Sequence, residues 1–570
     1  MKYLRVLCVL CGLLVHAYAL DREAFTFTSY NLQVRIEPEQ QRLAARGKIT
    51  LRNDSVLPQK NLSLQISSSL GWRSIQLDGK LVPFDSQPYT SDIDHTGALS
   101  EALVTLPQDV PPKATLELEV GYEGVIPLDV TRLTRIGVPA EVARHSDWDQ
   151  IGKSFTAVRG IGYVAWYPVA TESANLSEGN SVEEVVGRWK VRHTDTTMSL
   201  LFQSTMDTPI FFSGTPDVFT VQTDTNVAKV AAFSMVRPGI SVPTFVIANY
   251  QKLTKDRLSI QYFSGLEEAA RNYAEAAAQS DVLVPVGRGS EGLQILALPD
   301  PDASPFVSQG MLLSPLQSPM TNKAELSVVY AKARQLVVSP RAWIQDGLSH
   351  YAQVAFIERR AGRGAALDYL GSHETVLVES EKQEKSAMAD RTGRGPETIH
   401  ALTNAPDDLY LQTKAMYVWW MLRDMTGGTP NGALLSYRAV EDKDPAYMQR
   451  LIEKESRRDL QWFFDDWVYH DRGLPDFRVE SVYPRRISST AYMVTVSVEN
   501  LGEAGAEVPV TVHVAGGEVT KRLEVHGKSK NAIRIEVASA PVEVVVNDGS
   551  VPESDMSNNV YRVEIPEQSN

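Results

Sequence analysis

Beyond residue 11 this 570-residue chain has no cysteine, because its two, Cys8 and Cys11, both lie in the first apolar stretch. Once that stretch is removed, disulfides, thiolate metal ligands and a cysteine nucleophile are excluded. HExxH is also missing. The ten histidines are His16, His95, His145, His193, His350, His373, His400, His470, His513 and His526, and no two stand four residues apart. No G-x-S-x-G segment occurs, which removes the strand-to-helix serine elbow of one large hydrolase class. Long basic runs are absent and the formal net charge is -14, so there is no electrostatic footprint for nucleic acid or an anionic membrane. No long apolar run follows the first, so no integral membrane segment is expected after its removal.

That first run has the order of an export signal. Lys2 and Arg5 form a short positive start, Leu4 to Val15 is an apolar stretch, and Ala17-Tyr18-Ala19 supplies a small-residue cleavage site. The expectation is a signal at 1–19, a mature chain from about Leu20, and a periplasmic or extracellular location. A retained anchor is the alternative. Cys11 sits inside the apolar stretch rather than after it, which argues against lipidation.

The composition, 43% hydrophobic and 22% charged, is that of a globular protein, and the length calls for about three cores. From Phe25 to about Val236 the pattern alternates, as in Tyr30-Asn31-Leu32-Gln33-Val34-Arg35-Ile36, and predicts antiparallel sheet with one buried face. Val130 to Ser154 is less regular. Helical periodicity then covers Leu266–Ser280, Asn322–Val337, Ala342–Ala361, Tyr410–Met425 and Ala446–Glu455, around a strand-like Gly292–Leu298. After Pro475 alternation returns in Tyr492–Val498 and Val508–Val514, and Gly516-Gly517 carries hairpin chemistry. The expected fold is multidomain α+β. It has an antiparallel β domain over 20–250, a mainly helical domain over 251–475 and an immunoglobulin-like sandwich over 476–570.

Four segments, in order along the chain, carry a resemblance. Ile49-Thr50-Leu51-Arg52-Asn53 is one. Trp343-Ile344-Gln345-Asp346-Gly347-Leu348-Ser349-His350-Tyr351 is the second. The third is the helix from Thr413 to Leu422, and the fourth Asp459-Leu460-Gln461-Trp462-Phe463-Phe464-Asp465-Asp466-Trp467 with Gly473-Leu474-Pro475. Together they resemble the aminopeptidase N and leukotriene A hydrolase family of zinc metallopeptidases, the gluzincins. The resemblance implies a thermolysin-like middle domain, and it implies that Asp346 stands where the family has its third zinc ligand.

It also implies which parts are missing. Aligning Glu325-Leu326 with the family's E-L, which retains Glu325 as the relic of the water-activating glutamate, puts Ala324 and Val328 at the histidine positions. Spacing counted back from Asp346 puts Lys323 and Ser327 there instead. Either register lacks both imidazoles. The family's amine-gripping loop is nearest to Gln309-Gly310-Met311-Leu312-Leu313, with Leu312 in place of its glutamate and Gly310 and Met311 as the relic. The transition-state tyrosine corresponds to Gln412, with Tyr410 close enough to substitute in part. No intact catalytic residue, no bound metal and no cofactor are expected, unless zinc is held by ligands the sequence does not reveal.

Other groups have plainer expectations. Asp346 and His350, at i and i+4, read as a polar pair lining a cleft. Glu325 is expected to pair with Arg334 or Arg341, or to be solvated. His373-Glu374 begins an HExxH that Leu377 breaks. Trp419-Trp420 and Trp462-Phe463-Phe464-Trp467 fall at core spacing, and Arg359, Arg360 and Arg363 read as a solvated helix end. Three functions stay open. One is a non-catalytic relative binding a peptide or protein through the remnant cleft. The second is a divergent zinc metallopeptidase, completed for instance by a partner chain. The third is a scaffold that binds through its C-terminal sandwich.

Overall fold

The computed structural model describes residues 20–564 apart from 180, 218–226, 239–240, 287–291, 391–400 and 406. The expected signal at 1–19 lies outside the described residues.

Alternation in the first region produces an eight-stranded sheet. Its order is Thr215–Asp217, Lys229–Val236, Thr197–Ser204, Phe25–Glu37, Arg42–Asn53, Thr115–Val125, Leu70–Leu77 and Lys80–Leu81. Leu32, Val34 and Ile36 are buried while Asn31 and Gln33 are exposed, so one face packs inward. A second sheet of Gln59–Ser67, Ala98–Val110 and Phe84–Thr90 covers that face, and Leu62, Leu64, Ile66, Leu99 and Val104 join the same core. The first sheet is not wholly antiparallel, as the sequence pattern had implied. Phe25–Glu37 pairs in parallel with Thr197–Ser204. A parallel pair needs a long crossover, and this one includes a helix, α1 (Ser181–Arg192), that the strand reading missed.

His193, just after α1, ties that helix to the first strand. Its Nε2 accepts from the Phe27 amide at 3.1 Å, and its Nδ1 lies 2.7 Å from the Trp189 carbonyl, to which it donates. Burial pushes its pKa down to about 3, with the nearby Arg192 adding to the effect. The folded chain therefore keeps this imidazole neutral where an unfolded one would take a proton. That stabilisation is complete above pH 6.5 and is lost as the pH falls from 6.5 toward 3. Thermal unfolding followed from pH 7 to pH 4 should show a loss approaching about 1.4 kcal/mol per unit from this residue. His193→Gln should flatten that component, and an unchanged pH slope in the variant would remove His193 as its source.

The middle region opens with a five-stranded mixed sheet in the order Gln251–Lys255, Leu258–Tyr262, Leu293–Ala297, Met311–Ser314 and Phe306–Ser308. Helix α2 (Glu267–Gln279) packs on it through its alanine-rich face, with Ala269, Ala270, Ala274 and Ala277 buried. Four long helices follow: α3 (Asn322–Leu336), α4 (Ala342–Ala361), α5 (Arg363–Asp390) and α6 (Asp408–Thr426). Thr321 caps α3 by accepting from the Ala324 amide at 3.2 Å, and Asp407 caps α6 by accepting from Tyr410 at 3.0 Å. Gly427, with φ +76, ends α6 in the left-handed region. Gly347 has another cause: a Cβ there would lie 2.7 Å from Ala415 Cβ and 2.9 Å from Trp419, so its absence lets α4 and α6 touch.

Trp419, Trp420, Phe463, Phe464 and Trp467 are buried in one core with Trp343, as the spacing of the first five implied, while Trp462 is only partly buried against it. The same core continues into the last region through Val494, Val496, Val498, Val508, Val510 and Val512. There the chain forms one sheet of Phe477–Arg486, Tyr492–Asn500 and Lys530–Val537. A second holds Gly517–Val525, Ala506–Val514, Pro541–Val546 and Val560–Arg562. Val514 pairs with Gly517 across a two-residue hairpin loop, with Gly516 at φ +100. The molecule is thus multidomain α+β, with a large β-rich first sheet and a helical middle.

Candidate functional site

A cavity of about 460 Å³ opens where the first region meets the helices. Its lining comes from six places along the chain: Arg132, Asp147 and Tyr163; Lys190 and Val186 of α1; Ser241 and Val242; the edge strand Phe306–Ser308; Tyr330 and Arg334 of α3; and Asp346, Asp408 and Gln412 from α4 and α6. Among the described residues, no histidine and no cysteine lines it.

The centre of this wall is an ion pair. The Arg334 guanidinium donates to the Asp346 carboxylate, and both side chains are almost wholly buried. Arg334 also approaches Ser241 Oγ at 3.4 Å. Burial opposes its charge, but Asp346 and the neighbouring Tyr330 outweigh that and hold its pKa above the ordinary arginine value. Burial raises the Tyr330 phenol well above its usual range, so it stays protonated. A second pair stands beside the first: Lys190 Nζ lies 2.6 Å from Asp408 Oδ2, which also accepts from Gln412 Nε2 at 3.0 Å. Burial works against the Lys190 ammonium, and Asp408 and Asp346 overcome it. Across the cavity Arg132 meets Asp147 at 2.6 Å. Each cation of the wall therefore has a carboxylate partner.

The register between α3 and α4 decides who meets Asp346. Only residues 337–341 connect the two helices, so they fold back as a tight hairpin. Arg334 then faces Asp346, Tyr330 packs against His350 with ring centroids 4.7 Å apart and planes tilted by 50°, and the Leu326 carbonyl accepts from Gln353 at 2.9 Å. Neither register expected from sequence applies. Ala324 and Val328 are buried in the core beneath α2, and Ser327 Oγ bonds back to the Lys323 carbonyl at 2.9 Å. Glu325 lies about 13 Å along the helix from Arg334 at 1.5 Å per residue and pairs with Arg360, not with Arg334 or Arg341. Arg341 is taken by Asp442 at 2.7 Å.

The other expected positions divide. Gln412 reaches the cavity and Tyr410 does not: its hydroxyl donates to Asp471 Oδ2 at 2.7 Å, on the far side of α6. Gly310 turns the chain with φ +75, and Met311 and Leu312 are buried in cores on opposite faces of the sheet. Neither Gly310 nor Met311 lines the cavity; Phe306 and Val307 of the neighbouring edge strand do. His350 does not pair with Asp346. Its Nδ1 lies 3.3 Å from Gln353 Oε1, and burial lowers its pKa. His373 packs against the Tyr369 ring in a tilted arrangement, and Glu374 accepts from the Glu553 amide at 2.9 Å. Arg359 and Arg360 are exposed, as expected of a solvated helix end, and Arg363 is partly buried. Arg359 donates to the Asp281 carbonyl and Arg360 to Glu325, while Arg363 bridges Asp424 and Asp548.

A zinc ion needs about four donors, three usually from the protein. Here the one ligand implied by the resemblance already holds a guanidinium, and Tyr330 and Arg334 stand beside it. These residues do not fit the metal. Arg132, Asp147, Lys190 and Asp408 were not anticipated, and nothing in their local sequence singles them out. Arg334 was legible only through the short connection after it.

The fold and cavity define a multidomain α+β protein with a charged cleft between a β-rich region and a helical one. No protein family's sequence profile matches the chain, and no curated protein matches it. Among solved structures, it is similar to the M1 zinc metallopeptidase from Deinococcus radiodurans, with a TM-score of 0.46 and 12% identity over 79% of this chain and 96% of that one. It is likewise similar to native yeast LTA4 hydrolase, with a TM-score of 0.46 and 12% identity over 81% of this chain and 71% of that one.

Proposed function

We propose that this chain is a non-hydrolytic relative of the zinc aminopeptidases that binds a peptide or protein segment in its cleft. The observation that carries the reading is the Arg334–Asp346 pair. At the position where the resemblance implies a zinc ligand, the carboxylate is satisfied by a fixed organic cation. Zinc in such an enzyme lowers the pKa of its bound water to about 7 by accepting the oxygen lone pair, and a guanidinium cannot do this because it offers water only N–H donors and no empty orbital. What is left is a recess with apolar walls, Val186, Val242, Val307 and Phe306, around fixed charges of both signs. Such a mixture suits a peptide, whose backbone and side chains present both.

In the same reading residues 1–19 are an export signal and the protein works in the periplasm or outside the cell. Domains span 20–250, 251–475 and 476–570. The last is immunoglobulin-like, supported by its two facing sheets and shared valine core.

The test has two arms. Supplied with zinc, the protein should release no arylamine from amino-acid arylamides, and Glu325→Ala should change nothing. Labelled oligopeptides should bind in fluorescence anisotropy. Leu409, 39% exposed at the cavity lip, should weaken that binding at least about tenfold when replaced by tryptophan. Zinc-dependent cleavage lost in Asp346→Asn would overturn the reading, and so would peptide binding indifferent to Leu409→Trp.

A further inference from the structure

Outside the cleft, the described residues contain one group of three metal-ligating side chains with donor atoms all within 4.8 Å of one another: His145, Asp300 and Asp302. The three come from two distant segments. His145 follows the short helix Ala140–Ala143, while both aspartates lie in the loop after the strand Leu293–Ala297. His145 Nδ1 already lies 2.7 Å from Asp300 Oδ2.

The backbones carrying these groups are locked together. The Ser304 amide donates to the His145 carbonyl at 2.6 Å, and Trp148 Nε1 donates to the Ser304 carbonyl at 3.2 Å. Asp300 Oδ1 accepts from the Asp302 amide at 3.0 Å, which orients that carboxylate. The scaffold is therefore fixed on both sides, while the three side chains remain partly open to solvent.

We propose that His145, Asp300 and Asp302 bind one first-row divalent cation of the zinc class. One imidazole and two carboxylates balance a double positive charge. They make a three-ligand set whose fourth position is left to water, a composition zinc accepts. Calcium requires six to eight oxygens, which this group cannot supply. Two ligands of one tetrahedral ion stand about 3.4 Å apart, so the His145–Asp300 pair opens slightly to admit the ion while the docked backbones stay in place.

The consequence reaches the cleft wall without depending on what the cleft binds. The segment after His145 carries Asp147, which holds Arg132 in the cavity wall, and Asp149, which holds Arg159 at 2.6 Å. A cation bridging His145 to the 300–302 loop pins that segment to the mixed sheet.

The experiment is calorimetric titration of the full chain, stripped with chelator, with zinc chloride alone. One zinc per chain is expected, together with a rise in unfolding temperature. His145→Ala and Asp302→Asn should each weaken binding by more than about 100-fold, beyond what loss of an outer partner costs, while their metal-free unfolding temperatures match the wild type. Asp346→Asn should bind zinc as the wild type does, which separates this site from the cleft. Binding weaker than about 1 mM, or binding that survives His145→Ala, would overturn the inference. Loss of binding in Asp346→Asn would overturn it too and would move the ion into the cleft.

Discussion

Lys414→Met is expected to lower the unfolding free energy by about 3–5 kcal/mol, the range for breaking one side of a buried ion pair. The Lys414 side chain is fully buried, and its ammonium pairs with Asp471, itself 5% exposed. It also donates to the Tyr410 hydroxyl at 3.0 Å and lies 3.4 Å from the Gly473 carbonyl. This cluster fastens α6 to the turn that leads into the last region. Methionine matches the stem of lysine, so little packing is lost, and the cost comes from leaving the Asp471 carboxylate in a low dielectric with only the Tyr410 hydroxyl and the Gly473 amide as donors. Adding Asp471→Asn should return a large part of the loss, because the uncompensated charge is then gone. Urea unfolding followed by tryptophan fluorescence measures both, and a loss below about 1 kcal/mol for Lys414→Met, the scale of an exposed pair, would show that the pair is not buried in solution.

Asp346→Ala is expected to cost about 3–5 kcal/mol on the same grounds, since it strands the buried Arg334 guanidinium. The informative measurement is the cycle with Arg334→Met. Each single change should be costly and the double change much less so, giving a coupling of at least about 1.5 kcal/mol, toward the upper part of the range for residues in contact. If Asp346 were instead a metal ligand, Arg334→Met would offer no rescue, and a chelator would destabilise the wild type as much as Asp346→Ala does. The cycle therefore tests, through stability alone, the interaction on which the proposed function rests.

Much of the architecture was legible because it is written in local periodicity. The bounds expected for α4 match those observed. The starts and stops of α2, α3 and α6 differ by at most two residues, which cap choice explains. The aromatic clusters around Trp419 and Trp467 are core because their spacing admits little else. Helix α1 was missed: it has valines on one face and glutamates and arginines on the other, within a region otherwise read as strand. The long α5 was missed as well, as its polar residues leave little of an apolar stripe. The parallel pairing of the first strand with Thr197–Ser204 depends on a partner more than 150 residues away, and alternation does not say which neighbour a strand takes.

For the site, Asp346 and Gln412 were identified from sequence and both line the cavity, whereas Tyr410, Gly310, Met311 and Glu325 do not. For the segment around Glu325 the cause is geometric, whereas Gly310, Met311 and Tyr410 came from separate motif matches. Counting residues back from Asp346 assumed that the preceding helix overlaps α4 over its first turns. The connection at 337–341 brings the last turns of α3 there instead.

The sequence alone determined which donors exist: without HExxH and without cysteine after residue 11, no arrangement of this chain places two histidines on adjacent turns of one helix or a thiolate from beyond residue 11 in any site. Helix and strand periods set by backbone geometry determined most elements. The tertiary structure decided which charges meet, setting Arg334 on Asp346, Lys190 on Asp408 and His145 on Asp300. Contact across helices and loops depends on the length of a connection and the packing of a core, and neither is carried by the residues in contact.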